Sequence, residues 1–248
     1  MNPVLLVTGG SRGIGAATAR LAAARGWDVA VNYARDEAAA QAVAAEVRAL
    51  GRRAWALQAD VADDAQVRAL FATLDREAGA LDGLVNSAGV VDAAARVDEM
   101  SAARVARMFA INVLGTFACA REALRRMSRR HGGRGGAIVN VSSVAATLGS
   151  PAQYVDYAAS KGAVDTFTVG LAREVATEGV RVNAVRPGII DTEIHASGGE
   201  PDRARRLAAS VPMQRAGQAD EVAAAIVWLL SAEAAYATGA LLDVSGGR

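Results

Sequence analysis

Short apolar runs almost free of charge alternate along this chain with longer alanine-rich stretches whose apolar positions recur at helical period. Val4–Thr8 is followed by a helical pattern over 14–25, a run at 29–33 by one over 37–50, and a run at 55–59 by one over 63–77. The rhythm continues with a run at 84–86, a helical pattern over about 101–127, a run at 137–141, another helical pattern over about 154–178, and runs at 180–185 and Leu241–Val244. Brief runs rich in Val, Ile and Leu mark strands, and the longer periodic stretches mark helices. Strands without polar alternation are buried on both faces, and strands separated by helices pair in parallel through right-handed crossovers. The pattern predicts an α/β fold, a doubly wound, mainly parallel seven-stranded sheet with helices on both faces. In such a sheet ligands bind beyond the carboxyl ends of the strands, so residues just after each strand are the candidates for chemistry.

A length of 248 residues with 52% hydrophobic content, without repeat or linker, is ample for one core and predicts a single domain over 1–248. The formal net charge of +1 is spread in both signs and offers no concentrated basic face for nucleic acid. The densest basic cluster, over 121–134, reads as a solvated helix end. No apolar run reaches the ~20 residues of a bilayer span. The opening Met1-Asn2-Pro3 enters the first strand without a charged leader, so a soluble, cytoplasmic protein is expected. Cys119 is the single cysteine and His131 and His195 are the only histidines, which leaves no disulfide within the chain and no expected metal site.

The first strand runs into Thr8-Gly9-Gly10-Ser11-Arg12-Gly13-Ile14-Gly15, where the first helix opens. Glycines at 9, 13 and 15 let the backbone turn tightly and approach a pyrophosphate, whose charge the amides at the helix N-terminus then meet. The strand before, the helix after and the lack of a Gly-Lys-Ser/Thr tail point to a Rossmann-like dinucleotide loop rather than a triphosphatase loop. Gly9, Ser11, Arg12, Gly13, Ile14 and Gly15 are its candidate binding residues. At the end of the second strand, where a carboxylate would hold the ribose of NAD, the chain has Asn32, Tyr33, Ala34 and Arg35. Nothing there repels a 2′-phosphate, and Arg12 and Arg35 offer it charge-assisted hydrogen bonds, so NADP(H) is expected ahead of NAD(H). In the competing reading both arginines are ordinary surface charges. Asp36 stands too late in the chain to reach the ribose.

Lys161 is the one lysine beside 26 arginines, and it stands four residues after a tyrosine in Tyr157-Ala158-Ala159-Ser160-Lys161. A compact ammonium whose pKa moves on burial does work that a guanidinium cannot. At helical spacing the two side chains share a face. A phenol with a reference pKa of about 10 is a poor base at neutral pH, and lowering it by about three units takes roughly 4 kcal/mol. A nearby ammonium and a positively charged nicotinamide ring both favour the phenolate. Tyr154 is followed four residues on by Ala158, fails that pairing, and reads as packing or pocket lining.

Together these residues resemble the short-chain dehydrogenase/reductases, with their Thr-Gly-x-x-x-Gly-x-Gly loop and Tyr-x-x-x-Lys pair. The resemblance spans essentially the whole chain. It includes Asp60-Val61 after the third strand, Asn86-Ser87-Ala88-Gly89 after the fourth, Asn112 in the long helix, Ser143 after the fifth strand, and Pro187-Gly188 with Thr192 after the sixth. It implies that Tyr157 donates a proton to a carbonyl oxygen during reduction, while Lys161 orients the nicotinamide ribose and lowers the tyrosine pKa. It implies that Asp60 recognises the adenine amine beside the Val61 backbone, that Asn86, Ala88 and Gly89 flank the cofactor, and that Pro187, Gly188, Ile190 and Thr192 meet the carboxamide. Asn112 is implied to hold a water linking Lys161 to solvent; the competing reading from its apolar surroundings is a satisfied core amide. The family's serine lies 13 residues before the tyrosine, where this chain has Val144. Alignment from the strand side makes Ser143 the oxyanion donor, with the extra residue absorbed before Tyr157 and Ser142 as the alternative. Ser87 replaces a usual asparagine, which puts one contact between strands in question.

Within the family the chain looks most like the branch labelled glucose or ribitol dehydrogenase-like, and less like the 3-oxoacyl-carrier-protein reductases. The resemblance implies NADP(H)-dependent interconversion of a ketone or aldehyde and an alcohol. It also implies a homotetramer, paired through the helices over 101–127 and 154–178 and the C-terminal 239–248. Reduction of 3-oxoacyl thioesters is one alternative, and a catalytically idle NADP-sensing or scaffolding protein is another. The polar segment from His195 to Arg206, within about 190–212, reads either as a lid over the substrate pocket or as a disordered loop, with His195 in reach of a polar substrate.

Overall fold

The computed structural model describes residues 2–248. In chain order the strands are β1 (Val4–Thr8), β2 (Asp28–Tyr33), β3 (Ala54–Gln58), β4 (Gly83–Asn86), β5 (Gly136–Val141), β6 (Val180–Pro187), β7 (Ile190–Asp191), β8 (Gly217–Gln218) and β9 (Leu241–Val244). The helices are α1 (Gly13–Ala24), α2 (Glu37–Ala49), α3 (Asp64–Ala78), α4 (Ala102–Phe109), α5 (Gly115–Met127), α6 (Ala145–Leu148), α7 (Val155–Val175), α8 (Ile194–Ser197), α9 (Arg203–Leu207) and α10 (Ala219–Leu230). The expected seven strands form one sheet in the order β3-β2-β1-β4-β5-β6-β9, parallel at every pairing. β7 and β8 pair separately.

Both faces of the sheet are covered, as its uncharged strands require. Leu5, Val7, Val29, Val31 and Val139 pack on α1, α2 and α10, while Val4, Leu6, Leu84 and Ile138 pack on α3, α5 and α7. Alanines at 16, 19, 22 and 23 let α1 lie close to the strands. α10 lies where the alternation of runs assigns no helix. Its Val222, Ala223, Ile226, Val227, Leu229 and Leu230 are all buried, so the segment is too uniformly apolar to show a helical period.

The long central helix is interrupted by a π turn over Ala110–Leu114, which lies between α4 and α5 and contains the buried Asn112. The composite Ala102–Met127 has the length and, at a mean hydropathy of 1.2, the composition of a bilayer span, contrary to the expectation that no stretch reaches it. Cys119, Ala120, Ala123 and Met127 bury one side of it in the core, and Glu122 pairs with Arg121, Arg125 and Arg126 near its end. Of the opening residues, Met1 lies outside the described residues, and Asn2 donates a 3.2 Å hydrogen bond to Asp28. The segment over 190–212 is folded, as β7, α8, α9 and a 3₁₀ turn at Ala208–Ser210.

Candidate active site

From β1 the sheet continues to β2 on one side and to β4 on the other, and the connecting loops part at the carboxyl ends of these strands. A cavity of about 610 Å³ opens there. Every residue expected at the site lines it except Gly15, Asn86 and Asn112. These three stand behind the wall and shape it. A Cβ on Gly15 would lie 2.3 Å from the Gly9 carbonyl oxygen, so glycine lets the start of α1 close under the loop. The Asn86 amide donates to Asn140 Oδ1 (2.9 Å), and Asn140 donates to Thr168 Oγ1 (2.9 Å), which ties β4 to β5 and α7. Asn112 accepts from the Val90 amide (2.8 Å) and donates to the Val90 carbonyl (3.0 Å) and Ser160 Oγ (3.1 Å). Its side chain is a satisfied core amide that clamps the segment after β4 against α7.

The glycine loop fits a pyrophosphate. Gly9 and Gly13 have φ of 61° and 51°, and a Cβ on Gly9 would lie 2.8 Å from Ala88 Cα. Thr8 Oγ1 accepts from the amides of Ser87 (3.1 Å) and Ala88 (3.2 Å), so the strand ends stay joined without an asparagine at 87. The first turn of α1 carries neither a side-chain cap nor an acidic residue, which leaves its amides free for an anion. Asn32 lines the cavity, but its amide is committed to Leu57 O (3.2 Å), Ala59 O (3.1 Å) and the Gly9 N–H (3.4 Å). Asp36 Oδ1 caps α2 by accepting from the Ala39 amide (2.9 Å). Arg12 and Arg35 are exposed at the rim and, among the described residues, have no ion-pair partner.

At the other end of the cavity α7 presents Tyr157 and Lys161. Ser143 Oγ accepts from the Ala145 amide (3.1 Å) and stands beside the Tyr157 phenol. Ser142 is buried, with its hydroxyl spent on the Lys161 carbonyl (3.2 Å). Between Ser143 and Tyr157 the chain makes a turn where Gly149, Ser150 and Ala152 take φ of 72°, 46° and 57°, a conformation that costs energy in the latter two. The turn is tied down where Gln153 O accepts from the Ala95 amide (3.0 Å). Lys161 Nζ lies 5.6 Å from the centroid of the Tyr157 ring and donates to Val141 O (2.7 Å).

A family profile described as Enoyl-(Acyl carrier protein) reductase matches residues 9–248. The uncharacterised oxidoreductase YgfF of Escherichia coli (strain K12) is 56% identical over 245 residues, 99% of each chain. The 3-oxoacyl-[acyl-carrier-protein] reductase FabG of Staphylococcus aureus (strain Mu50) is 38% identical over 249 residues, 100% of this chain and 98% of the other. A short chain dehydrogenase from Burkholderia cenocepacia J2315, crystallised with NADP, superposes with a TM-score of 0.89 at 39% identity, covering 99% of this chain and 97% of that one. The chain belongs to the short-chain dehydrogenase/reductases. It is an oxidoreductase of a family that uses a nicotinamide cofactor on small molecules.

In this dehydrogenase/reductase burial governs the charges at the site. It pushes the Tyr157 phenol up to about 12, opposed by the Ser143 hydroxyl. It pulls Lys161 down to about 8, opposed by Asp165. The phenol therefore moves opposite to the direction that pairing with Lys161 implies, because desolvation outweighs an ammonium that sits against the ring and donates to a carbonyl. His195 lies 2.8 Å by Nε2 from Ile190 O, and burial lowers its pKa. The neutral ring donates through Nε2 and keeps Nδ1 as an acceptor.

Several supporting groups lie beyond sequence reasoning. Arg104 Nε donates to Asp156 Oδ2 (2.8 Å) and its Nη1 to Ala93 O (2.7 Å), while Asp156 Oδ1 accepts from the Tyr157 amide (2.9 Å). Tyr154 donates to Glu200 (3.3 Å), and Arg203 stacks 4.9 Å over the Tyr154 ring and reaches Gln153 (2.7 Å). These contacts join the segment over 190–212 to the start of α7. The partners stand some 50 residues apart, |i−j| being 52 for the Arg104 pair and 46 for the Tyr154 pair, so no local spacing announces them.

Proposed function

We propose that this chain is an NADP(H)-dependent oxidoreductase that interconverts a ketone or aldehyde and the corresponding alcohol, with Tyr157 as the proton donor and acceptor. The observation that carries the reading is the placement of Tyr157 and Ser143 side by side in the cavity that the glycine loop also lines. A bound nicotinamide dinucleotide supplies the hydride in reduction and takes it up in oxidation. The free amides of α1 would hold its pyrophosphate. As hydride reaches the carbonyl carbon, Tyr157 gives its phenolic proton to the oxygen and the Ser143 hydroxyl donates a second hydrogen bond to it. Lys161 keeps positive charge beside the phenolate so formed, which solvent then reprotonates. Of the other residues lining the cavity, Asp60, Val61, Ala88 and Gly89 would wall the adenosine of such a cofactor, and Pro187, Gly188, Ile190 and Thr192 its carboxamide.

The unpaired Arg12 and Arg35, and an Asp36 engaged as a helix cap, support NADP(H) over NAD(H). Arg35→Asp is expected to weaken NADPH binding at least about tenfold while sparing NADH, since one charge-assisted contact contributes about 1.5–3 kcal/mol. Equal loss for both cofactors in a binding titration refutes the preference. Turnover is tested by NADPH oxidation against sugars, diketones, quinones and acyl thioesters with Tyr157→Phe as control. Oxidation that disappears in the variant supports the reading. Tight NADPH binding with no turnover on any compound favours the idle sensor instead.

The FabG-named relative supports a second reading, reduction of 3-oxoacyl thioesters, which the thioester arm of the panel decides. Exposed Leu114, Phe117 and Val155, with open space over Gly162 and Gly170, support assembly as a homotetramer through α5 and α7.

A further inference from the structure

Asp165 lies one helical turn beyond Lys161 on α7, and the chemistry above gives it no part. A spacing of four places both side chains on one face, and both residues are buried. Among the described residues Asp165 Oδ1 has no hydrogen-bond partner. Oδ2 stands 3.6 Å from Arg186 Nη1, beyond a hydrogen bond. Arg186 itself is engaged by a second carboxylate, Asp243 on β9, which accepts from its Nη2 at 2.9 Å. The guanidinium thus has its own closely bonded partner, and Asp165 is held loosely with one oxygen uncommitted.

The groups around the ammonium narrow the choice further. From α7 it meets the Tyr157 ring, and the charge of Asp165 one turn on reaches it; from the end of β5 it meets the Val141 carbonyl. The Ser142 hydroxyl, beside Asp165, bonds the Lys161 carbonyl. From the segment after β4 and the π turn come Gly89 and Asn112, both uncharged, with Gly89 close to Nζ. From β6 comes Arg186, a cation, whose charge reaches Asp165. The carboxylate acting on the ammonium is Asp165.

We propose that Asp165 is a positioning residue whose carboxylate is the counter-charge of the buried Lys161 ammonium, and that it extends to higher pH the range in which Tyr157 works beside a positive charge. Burial lowers the Lys161 pKa and Asp165 opposes that fall. Burial raises the Asp165 pKa, opposed by Ser142 and Arg186. Removing the carboxylate takes that attraction away from the ammonium.

The catalytic consequence rests on the proposed function, but the test does not, because Lys161 is the only lysine in the chain. An isotopic label at lysine Cε gives a single nuclear magnetic resonance signal, whose titration reads this one ammonium in the NADPH-free protein. Asp165→Asn is expected to lower the midpoint by about one pH unit, the effect of losing a nearby opposite charge. Asp165→Glu should keep it near the wild-type value. Should the Asn variant not fold, Asp165→Ala reads the same displacement. An unchanged midpoint in a folded charge-removing variant overturns the proposal. Where a substrate is found, the alkaline limb of kcat should move down by the same interval in Asp165→Asn, with KM little changed. Absence of turnover on every compound would refute the proposed function and leave the resonance result standing.

Discussion

Ser142 and Ser143 are neighbours with opposite surroundings, one bonded to the backbone of α7 and the other beside the phenol. Ser143→Ala is expected to lower kcat by about 10²-fold, the cost of one oxyanion donor, with NADPH affinity unchanged. Full turnover in that variant would reassign the role. The protonation states set a direction in pH. Reduction needs a protonated phenol, secure up to about 12, and a charged Lys161, lost above about 8. The rate of ketone reduction should therefore be flat toward neutral pH and fall as pH rises through about 8, which a kcat profile checks. Tyr157 and Lys161 were legible because a helix turns local spacing into proximity. Asp165 was not, because its part depends on the burial of both groups, which exists only once the chain has folded.

At the scale of elements, two arginines fix the helices around the site. Arg104 on α4 pins the first turn of α7 through Asp156 and holds the loop before α4 through the Ala93 carbonyl. Arg181 is half-buried and donates to the carbonyls of Leu229 (2.7 Å), Leu230 (3.3 Å), Ser231 (3.0 Å) and Ala237 (3.3 Å), closing the C-terminal end of α10. Arg181→Met leaves those carbonyls without their donor and should cost about 3 kcal/mol, or roughly 6–12 °C in Tm by thermal unfolding. A Cβ at Gly115 would stand 2.7 Å from Val61 Cγ2, so Gly115→Ala should displace the Val61 wall and weaken cofactor binding more than stability, read by titration beside a melt. The boundaries of α3 and α7 were close to those expected from periodicity. The π turn was not foreseen, since its sequence continues an ordinary helical pattern and the commitments of Asn112 lie outside the helix.

Over the whole molecule, α5 with the π turn before it, and α7, form one of the surfaces where apolar side chains stay uncovered by the fold itself. Leu114 and Phe117 are 61% and 46% exposed, and Phe117 meets Phe167 with ring centroids 3.8 Å apart. Light scattering should give the mass of four chains, and Leu114→Glu with Phe117→Glu should reduce it by placing charges in the contact. A wild-type monomer would refute the assembly.

The amino-acid sequence by itself determined the seven strands of the main sheet, the helices between the first six of them, the parallel sheet, the glycine loop and the Tyr157–Lys161 pair. Each of these rests on a period or spacing along the chain, which local geometry converts directly into a face, a turn or a contact. The tertiary structure alone decided that Ser143 rather than Ser142 stands beside the phenol, that Asn112, Asn86 and Gly15 shape the cavity from behind, and that burial raises Tyr157 while lowering Lys161. Those outcomes depend on desolvation and on partners brought together from distant segments, and neither quantity exists until the chain has folded.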